Sequence, residues 1–327
     1  MNTPFQKVST VEDFANEILS GNRFVLSRAI TLSESKKPTD RDFSNELLNR
    51  LLPATGNSVR IGITGIPGVG KSTFIDAFGT YLTNQGKKLA VLSIDPSSKK
   101  TKGSILGDKT RMAQLSNDVN AFIRPSPSGN HLGGVAQRTR ETMLLCEAAG
   151  FDVIIIETVG VGQSETAVKD MVDVFLLLML SGGGDELQGI KRGIMEMTDI
   201  IAINKVDGDN VKAGQRARQQ YEQALHLFPG NENGWTVPVM TTSAIDAQGL
   251  EEIWIQMEHF FISTKANGWF DQNRNDQKLK WFKEAVRFEL EHRFYDQLDV
   301  KSNLQHVEDA VQSGKLSVRA AIDKLMK

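Results

Sequence analysis

Between residues 58 and 244, short apolar runs rich in β-branched residues alternate with stretches whose apolar positions recur at helical spacing. The runs are VRIGITG (59–65), LAVLSID (89–95), FDVIIIET (151–158), VDVFLLLML (172–180), DIIAINKVD (199–207) and TVPVMTTSA (236–244). Each is nearly continuous in apolar residues, as a strand buried on both faces must be. The alternation therefore predicts a mostly parallel sheet in a three-layer α/β/α sandwich. Outside that region the pattern is helical. Thr10, with Asp13 three positions on, caps a helix whose apolar positions are Phe14, Ile18 and Leu19 and which Gly21 stops. A second helix is expected near 23–32, and a third carries Phe43, Leu47, Leu48, Leu51 and Leu52 up to Pro53. Toward the other end, Phe282, Val286, Leu290 and Phe294 fall at i+4 spacing, with Trp281, Phe288 and Tyr295 on a neighbouring line. That wide aromatic face either packs on the chain's own core or forms a subunit interface. Ser317 is placed to cap a final helix reaching Lys327. The predicted organisation is an N-terminal helical extension (1–57), an α/β domain (58–255) and a C-terminal helical arm (256–327).

The 327 residues carry a net charge of -2, with Lys and Arg dispersed among acids, so no nucleic-acid partner is expected. The longest apolar run, 174–180, is too short to span a bilayer, and MNTPFQKVSTVEDF lacks a signal-peptide pattern, so a soluble cytoplasmic protein without a membrane partner is expected. Cys146 is the single cysteine, which excludes a disulfide within the chain and any Cys-rich metal site.

The first apolar run closes on Gly65-Ile66-Pro67-Gly68-Val69-Gly70-Lys71-Ser72, a complete G-x-x-x-x-G-K-[ST]. This is a phosphate-binding loop. Glycines let backbone N–H groups face a polyphosphate, and a helix beginning near Thr73 presents its positive end. Lys71 reaches the outer phosphates and Ser72 can ligate Mg²⁺. Asn204-Lys205-Val206-Asp207 closes a later run. The Asp207 carboxylate can accept from guanine N1–H and the 2-amino group, which adenine does not offer, so GTP and GDP are favoured over adenine nucleotides. Asn204 would orient the loop and bond the base edge, and the Lys205 stem would lie over the ring. Ser243-Ala244 could offer a backbone N–H to guanine O6.

Three acids compete for the metal: Asp95 at a strand end, Asp108 in a charged loop, and Glu157, which opens Glu157-Thr158-Val159-Gly160. The last has the form of an acidic-x-x-Gly switch, in which Gly160 can offer its N–H to the γ-phosphate. Mg²⁺ keeps several waters, so not all three acids bind it directly. Val161 stands where Ras-type GTPases carry a water-orienting Gln, so hydrolysis is left to Lys71 with Glu157, Asp95 through a water, Gln163 or Arg111. The glycine-rich loop 182–193 is either a nucleotide-responsive switch or a flexible connector. His131 is either near the switches or merely solvated.

GITGIPGVGKST, SIDPSS, GSILGDKTRM, FIRPSPS, HLGG, ETVGVGQSE, GGGDELQGIKRG and INKVDGD together resemble the MeaB/ArgK group of P-loop GTPases of the SIMIBI class. The likeness is close over about 60–209 and looser at the helical ends. It implies a Mg²⁺-dependent GTPase with a C-terminal dimerisation arm, and hence a homodimer. It also implies a chaperone that protects an adenosylcobalamin-dependent acyl-CoA mutase, above all methylmalonyl-CoA mutase, and gates its cofactor loading. Carried over by motif, the resemblance puts phosphate at 65–72, metal-associated acids at Asp95, Asp108 and Glu157, and an additional switch at 182–193. Lys102-Gly103 departs from the Gly-Gly usual before Ser-Ile-Leu-Gly-Asp. Two other readings are an ATPase or kinase linked to lysine/arginine/ornithine transport and a metal-insertion GTPase. Asp207 opposes the first, and the scatter of histidines around a lone cysteine opposes the second.

Overall fold

The computed structural model describes residues 9–94, 111–125, 132–158, 164–181 and 192–326. Seven strands form one parallel sheet: β1 (Val59–Gly65), β2 (Leu89–Ile94), β3 (Ala121–Arg124), β4 (Val153–Thr158), β5 (Val174–Leu180), β6 (Ile200–Asn204) and β7 (Val239–Thr241). Their order across the sheet is β3-β2-β4-β1-β5-β6-β7. Six were expected. The seventh, β3, is a four-residue edge strand paired with β2 in the register Leu89↔Ala121.

Strand side chains alternate between two apolar layers. Leu89, Val91, Val153, Ile155, Ile61 and Ile63 pack under α4 (Lys71–Asn84). Ala90, Leu92, Ile154, Ile156 and Phe175 face α5 (Leu132–Ala148). Cys146 is fully buried on α5, and burial pushes its thiol pKa up, so it serves as a small core residue. The short α6 (Ser164–Lys169) and α7 (Arg192–Glu196) precede β5 and β6, and α8 (Val211–Leu225) covers β6 and β7 through Ala217 and Tyr221.

The first three helices are α1 (Val11–Leu19), α2 (Arg23–Ser33) and α3 (Pro38–Leu51). Thr10 and Asp13 form a reciprocal capping box on α1, Asn22 caps α2, and Pro38 opens α3. Phe14, Ile18, Leu26, Ile30, Leu47 and Leu51 bury themselves in the same cluster as β2, β4 and α5. The extension is therefore a further layer of the main body.

Internal contacts divide the chain into two compact units, residues 1–277 and 278–327. The sequence boundary at 256 falls inside α9 (Leu250–Ala266), whose Ile253, Trp254, Met257, Phe260 and Phe261 are buried in the layer under α4. α10 (Trp269–Asp296) begins in the first unit, where Arg274 is held by a buried network. Arg274 makes a bidentate pair with Asp173, with Nε and one terminal nitrogen each 2.7 Å from a carboxylate oxygen. It also donates to the carbonyls of Gly56 at 2.6 Å and Ser58 at 2.7 Å. Asp173 accepts the Arg60 N–H at 2.8 Å, and Arg60 pairs with Glu147 at 2.7 Å. Burial works against the Arg274 charge, but the hydrogen bonds and charge of Asp173, with Glu147 and Asp271 behind them, hold its pKa above the ordinary value.

The second unit contains the rest of α10, α11 (Leu298–Gln312) and α12 (Val318–Leu325). α12 is capped by Ser317, as expected, and ends two residues short of Lys327. Val300 and Val307 of α11 and Ala321 of α12 are buried, while Phe282, Val286, Leu290 and Tyr295 of α10 are exposed. Within the second unit the line Phe282, Val286 and Leu290 is therefore an exposed apolar stripe.

Candidate nucleotide site

The carboxyl ends of β1, β4, β5 and β6 converge at one edge of the sheet, the position where open α/β sheets take ligands. β1 ends at Gly65, where a Cβ would come within 2.6 Å of the Leu178 carbonyl oxygen, so only glycine fits between β1 and β5. Gly70 sits just before α4 at φ +91°, a left-handed conformation, and no side chain caps that helix. The first N–H groups of α4 and the positive end of its dipole thus face the loop unscreened, an arrangement suited to phosphate.

Lys71 folds back over the loop, its Nζ donating to the carbonyls of Gly65 at 2.8 Å and Ile66 at 3.4 Å. Burial pushes its pKa down, while the charges of Glu157 and Glu165 act to raise it. Both acids are buried, and Glu165 is fully so. Ser72 Oγ donates to Glu157 Oε1 at 3.4 Å, and the buried hydroxyls of Thr158 and Thr64 are 2.8 Å apart.

Ser93 lies beside Glu157 in the sheet register and is 2 % exposed, yet its hydroxyl has no hydrogen-bond partner among the described residues. A hydroxyl, a carboxylate and a second, orphaned hydroxyl make an all-oxygen donor set. That set fits Mg²⁺, which binds hard oxygens and keeps part of its water shell. No three His, Cys, Asp or Glu side chains gather into a metal cluster among the described residues. Asp95, Asp108, Gly160, Gln163, His131 and loop positions 182–191 lie outside the described residues. Arg111, the other cation named from the sequence, is exposed.

At the end of β6, Asn204 is 1 % exposed and joins two loops. Its Nδ2 donates to the Val69 carbonyl at 2.9 Å and its Oδ1 accepts the Ala244 N–H at 3.3 Å. The side chain expected to bond the base edge thus also holds the phosphate loop, and the Ala244 N–H turns toward Asn204. The Ser243 N–H bonds Gln248, while Ser243 Oγ donates to Asp207 Oδ2 at 2.8 Å and fixes that carboxylate. Lys205 adopts φ +60°, which costs a non-glycine residue about 1–2 kcal/mol. Its Nζ donates to the Gly68 carbonyl at 2.8 Å, laying the stem along the phosphate loop. Its own carbonyl accepts from Asn210 Nδ2 at 2.5 Å.

No motif in the sequence singles out Ser93, Glu165, Ser181 or Asn210 as a site residue. Ser93 and Glu165 lie inside quoted motifs, SIDPSS and ETVGVGQSE, where their burial had no local signal. Asn210 meets Ser181 29 residues away.

Comparison with known proteins agrees with this geometry. The family model "Methylmalonyl Co-A mutase-associated GTPase MeaB" matches residues 26–299. GTPase ArgK of Escherichia coli is 46% identical over 97% of this chain and 96% of its own length. The mitochondrial methylmalonic aciduria type A homolog of Mus musculus is 43% identical over 95% of this chain and 77% of its own. A crystal structure described as LAO/AO transport system kinase superposes with a TM-score of 0.75 at 39% identity, covering 97% of this chain and 96% of that one. The family model covers well over half of the chain and the ArgK relative nearly all of it, so the protein belongs to the MeaB family and is a P-loop GTPase.

Proposed function

We propose that this GTPase is a Mg²⁺-dependent, nucleotide-switched chaperone of an adenosylcobalamin-dependent acyl-CoA mutase, with methylmalonyl-CoA mutase as the client. It would protect the enzyme and gate its cofactor loading, acting as a cytoplasmic homodimer. The observation that carries the reading is the joint between phosphate and base loops: Asn204 bonds Val69, and Lys205 bonds Gly68. A site whose two halves are tied this closely can respond as a unit to the nucleotide it holds, as a switch requires. The family description and the name of the mouse relative support the mutase as client. The exposed line Phe282, Val286 and Leu290 supports a second copy of the chain as partner for the arm.

Within the site, residues 65–73 hold the phosphates, all but Pro67 having a backbone N–H to offer, and Lys71 leaves the Gly65 carbonyl to neutralise charge on the outer phosphates. Ser72 and Glu157 would hold Mg²⁺, with Ser93 facing its water shell. Asp95, Asp108 and Gly160 complete the proposed set by motif. Held there, Mg²⁺ would supply neutralisation of polyphosphate charge. Asp207 reads guanine N1–H and the 2-amino group from a carboxylate fixed by Ser243. Among the described residues, hydrolysis has charge stabilisation from Lys71 and an acid at Glu157, a complement that suits slow turnover.

The test is calorimetric titration of the full chain into a purified adenosylcobalamin-dependent methylmalonyl-CoA mutase, with a non-hydrolysable GTP analogue or with GDP, each with Mg²⁺. The expected result is an affinity that differs by roughly 5–150-fold between the two nucleotides, the usual span of a coupling free energy. Absence of binding to such mutases with either nucleotide removes the chaperone reading.

A further inference from the structure

Asn210 closes the short turn Gly208–Asn210 that follows Asp207, and its backbone N–H returns to the Asp207 carbonyl at 2.9 Å. Its side-chain amide faces two ways. Nδ2 donates to the Lys205 carbonyl at 2.5 Å, and Oδ1 accepts from Ser181 Oγ at 2.7 Å. Ser181 is the first residue beyond β5, and Leu180 before it is the register partner of Asn204. The two strands therefore end side by side, and Asn210 bridges the residues that follow each of them.

The chemistry of this bridge is directional. It needs one acceptor toward Ser181 and one donor toward Lys205, which an amide supplies and a carboxylate does not. Lys205 needs such support because it is a non-glycine residue at φ +60° between the base-reading Asp207 and the buried Asn204. Its Nζ, on the Gly68 carbonyl, carries the same constraint into the phosphate loop.

We propose that Asn210 is a positioning residue for base recognition, holding Lys205 in its left-handed conformation and tying the guanine loop, through Ser181, to the end of β5. The inference rests on the guanine-binding reading. It adds to that reading a determinant of base specificity outside the N-K-x-D motif, and a direct link between the base site and Ser181 at the end of β5.

The experiment compares wild type, Asn210→Asp, Ser181→Ala and the double variant for equilibrium binding of fluorescently labelled GDP and IDP in Mg²⁺ buffer. IDP lacks the 2-amino group, so the ratio of the two affinities reports the alignment of Asp207, which a general loss of stability would not change. Asn210→Asp keeps the acceptor for Ser181 but sets a carboxylate against the Lys205 carbonyl. It is expected to lower the GDP/IDP ratio roughly tenfold. Ser181→Ala is expected to lower it roughly two- to threefold, and the double variant no further than Asn210→Asp alone, because the two side chains act in one chain of bonds. Asn210 is half-exposed, and Ser181→Ala removes only a hydroxyl, so neither change endangers the fold. An unchanged ratio in Asn210→Asp, or independent and additive losses in the double variant, overturns the inference while GDP binding by the wild type preserves the guanine reading. A wild type that binds GDP and IDP equally contradicts the guanine reading itself, and the inference with it.

Discussion

Replacing Asp207 by Asn weakens GTP binding by about 10²-fold and turns the preference toward xanthosine triphosphate. The carboxylate has two acceptor oxygens, and Ser243 Oγ donates to Oδ2 at 2.8 Å. In the variant the Asn carbonyl oxygen takes over that bond from Ser243, which leaves the amide NH₂ directed at the base. The guanine 2-amino group then meets a donor and loses its acceptor, whereas xanthine, with the same N1–H, presents a 2-oxo group that accepts from the amide. Competition binding with GTP, XTP and ATP checks this. Undiminished GTP affinity would mean that Asp207 does not read the base, and equal competition by ATP in the wild type would favour an adenine-dependent kinase instead.

The second large effect concerns stability. Arg274→Ala is expected to cost about 3–5 kcal/mol, because it leaves the Asp173 carboxylate, with a side-chain exposure of 0%, as an uncompensated buried charge. It also leaves the Gly56 and Ser58 carbonyls without a donor that now sits at 2.6 and 2.7 Å. Arg274→Lys keeps the charge but cannot make the planar two-point contact, so an intermediate loss is expected. Chemical denaturation followed by tryptophan fluorescence measures both. Because Asp173 accepts from the Arg60 N–H in β1 and lies one residue before β5, the damage falls on the two strands that frame the phosphate loop. A loss under 1 kcal/mol for Arg274→Ala would show that the network is solvated in solution.

Much of this architecture can be read from the chain because its physics is local. Strands buried on both faces leave long apolar runs, and the capping box at Thr10 and Asp13 is a spacing of three residues. The phosphate loop and N-K-x-D are likewise contiguous, since each binds its ligand with backbone and side chains of one turn. β3 escapes notice because its four residues, AFIR, are too few to establish a period and follow a polar turn. The run at 236–244 yields a strand of only three residues, Val239–Thr241, because Ser243 turns back to pair with Gln248. α9 shows apolar residues at helical spacing, a pattern equally suited to a core helix or an arm. Only tertiary packing places Phe260 and Met257 at 0% exposure within the main body. Ser93, Glu165 and the pair Ser181 and Asn210 share that limit: each acquires its role from a neighbour distant in sequence, Glu157, Lys71 and one another respectively.

The proposed role is that of a slow GTPase that answers to a mutase partner. It is tested most directly by the single-turnover rate of GTP hydrolysis with Mg²⁺, measured with and without a saturating adenosylcobalamin-dependent methylmalonyl-CoA mutase. A slow rate alone, raised at least roughly tenfold by the mutase and lost on chelation of Mg²⁺, is the expected result. Hydrolysis that is already fast in isolation and indifferent to the mutase would contradict it.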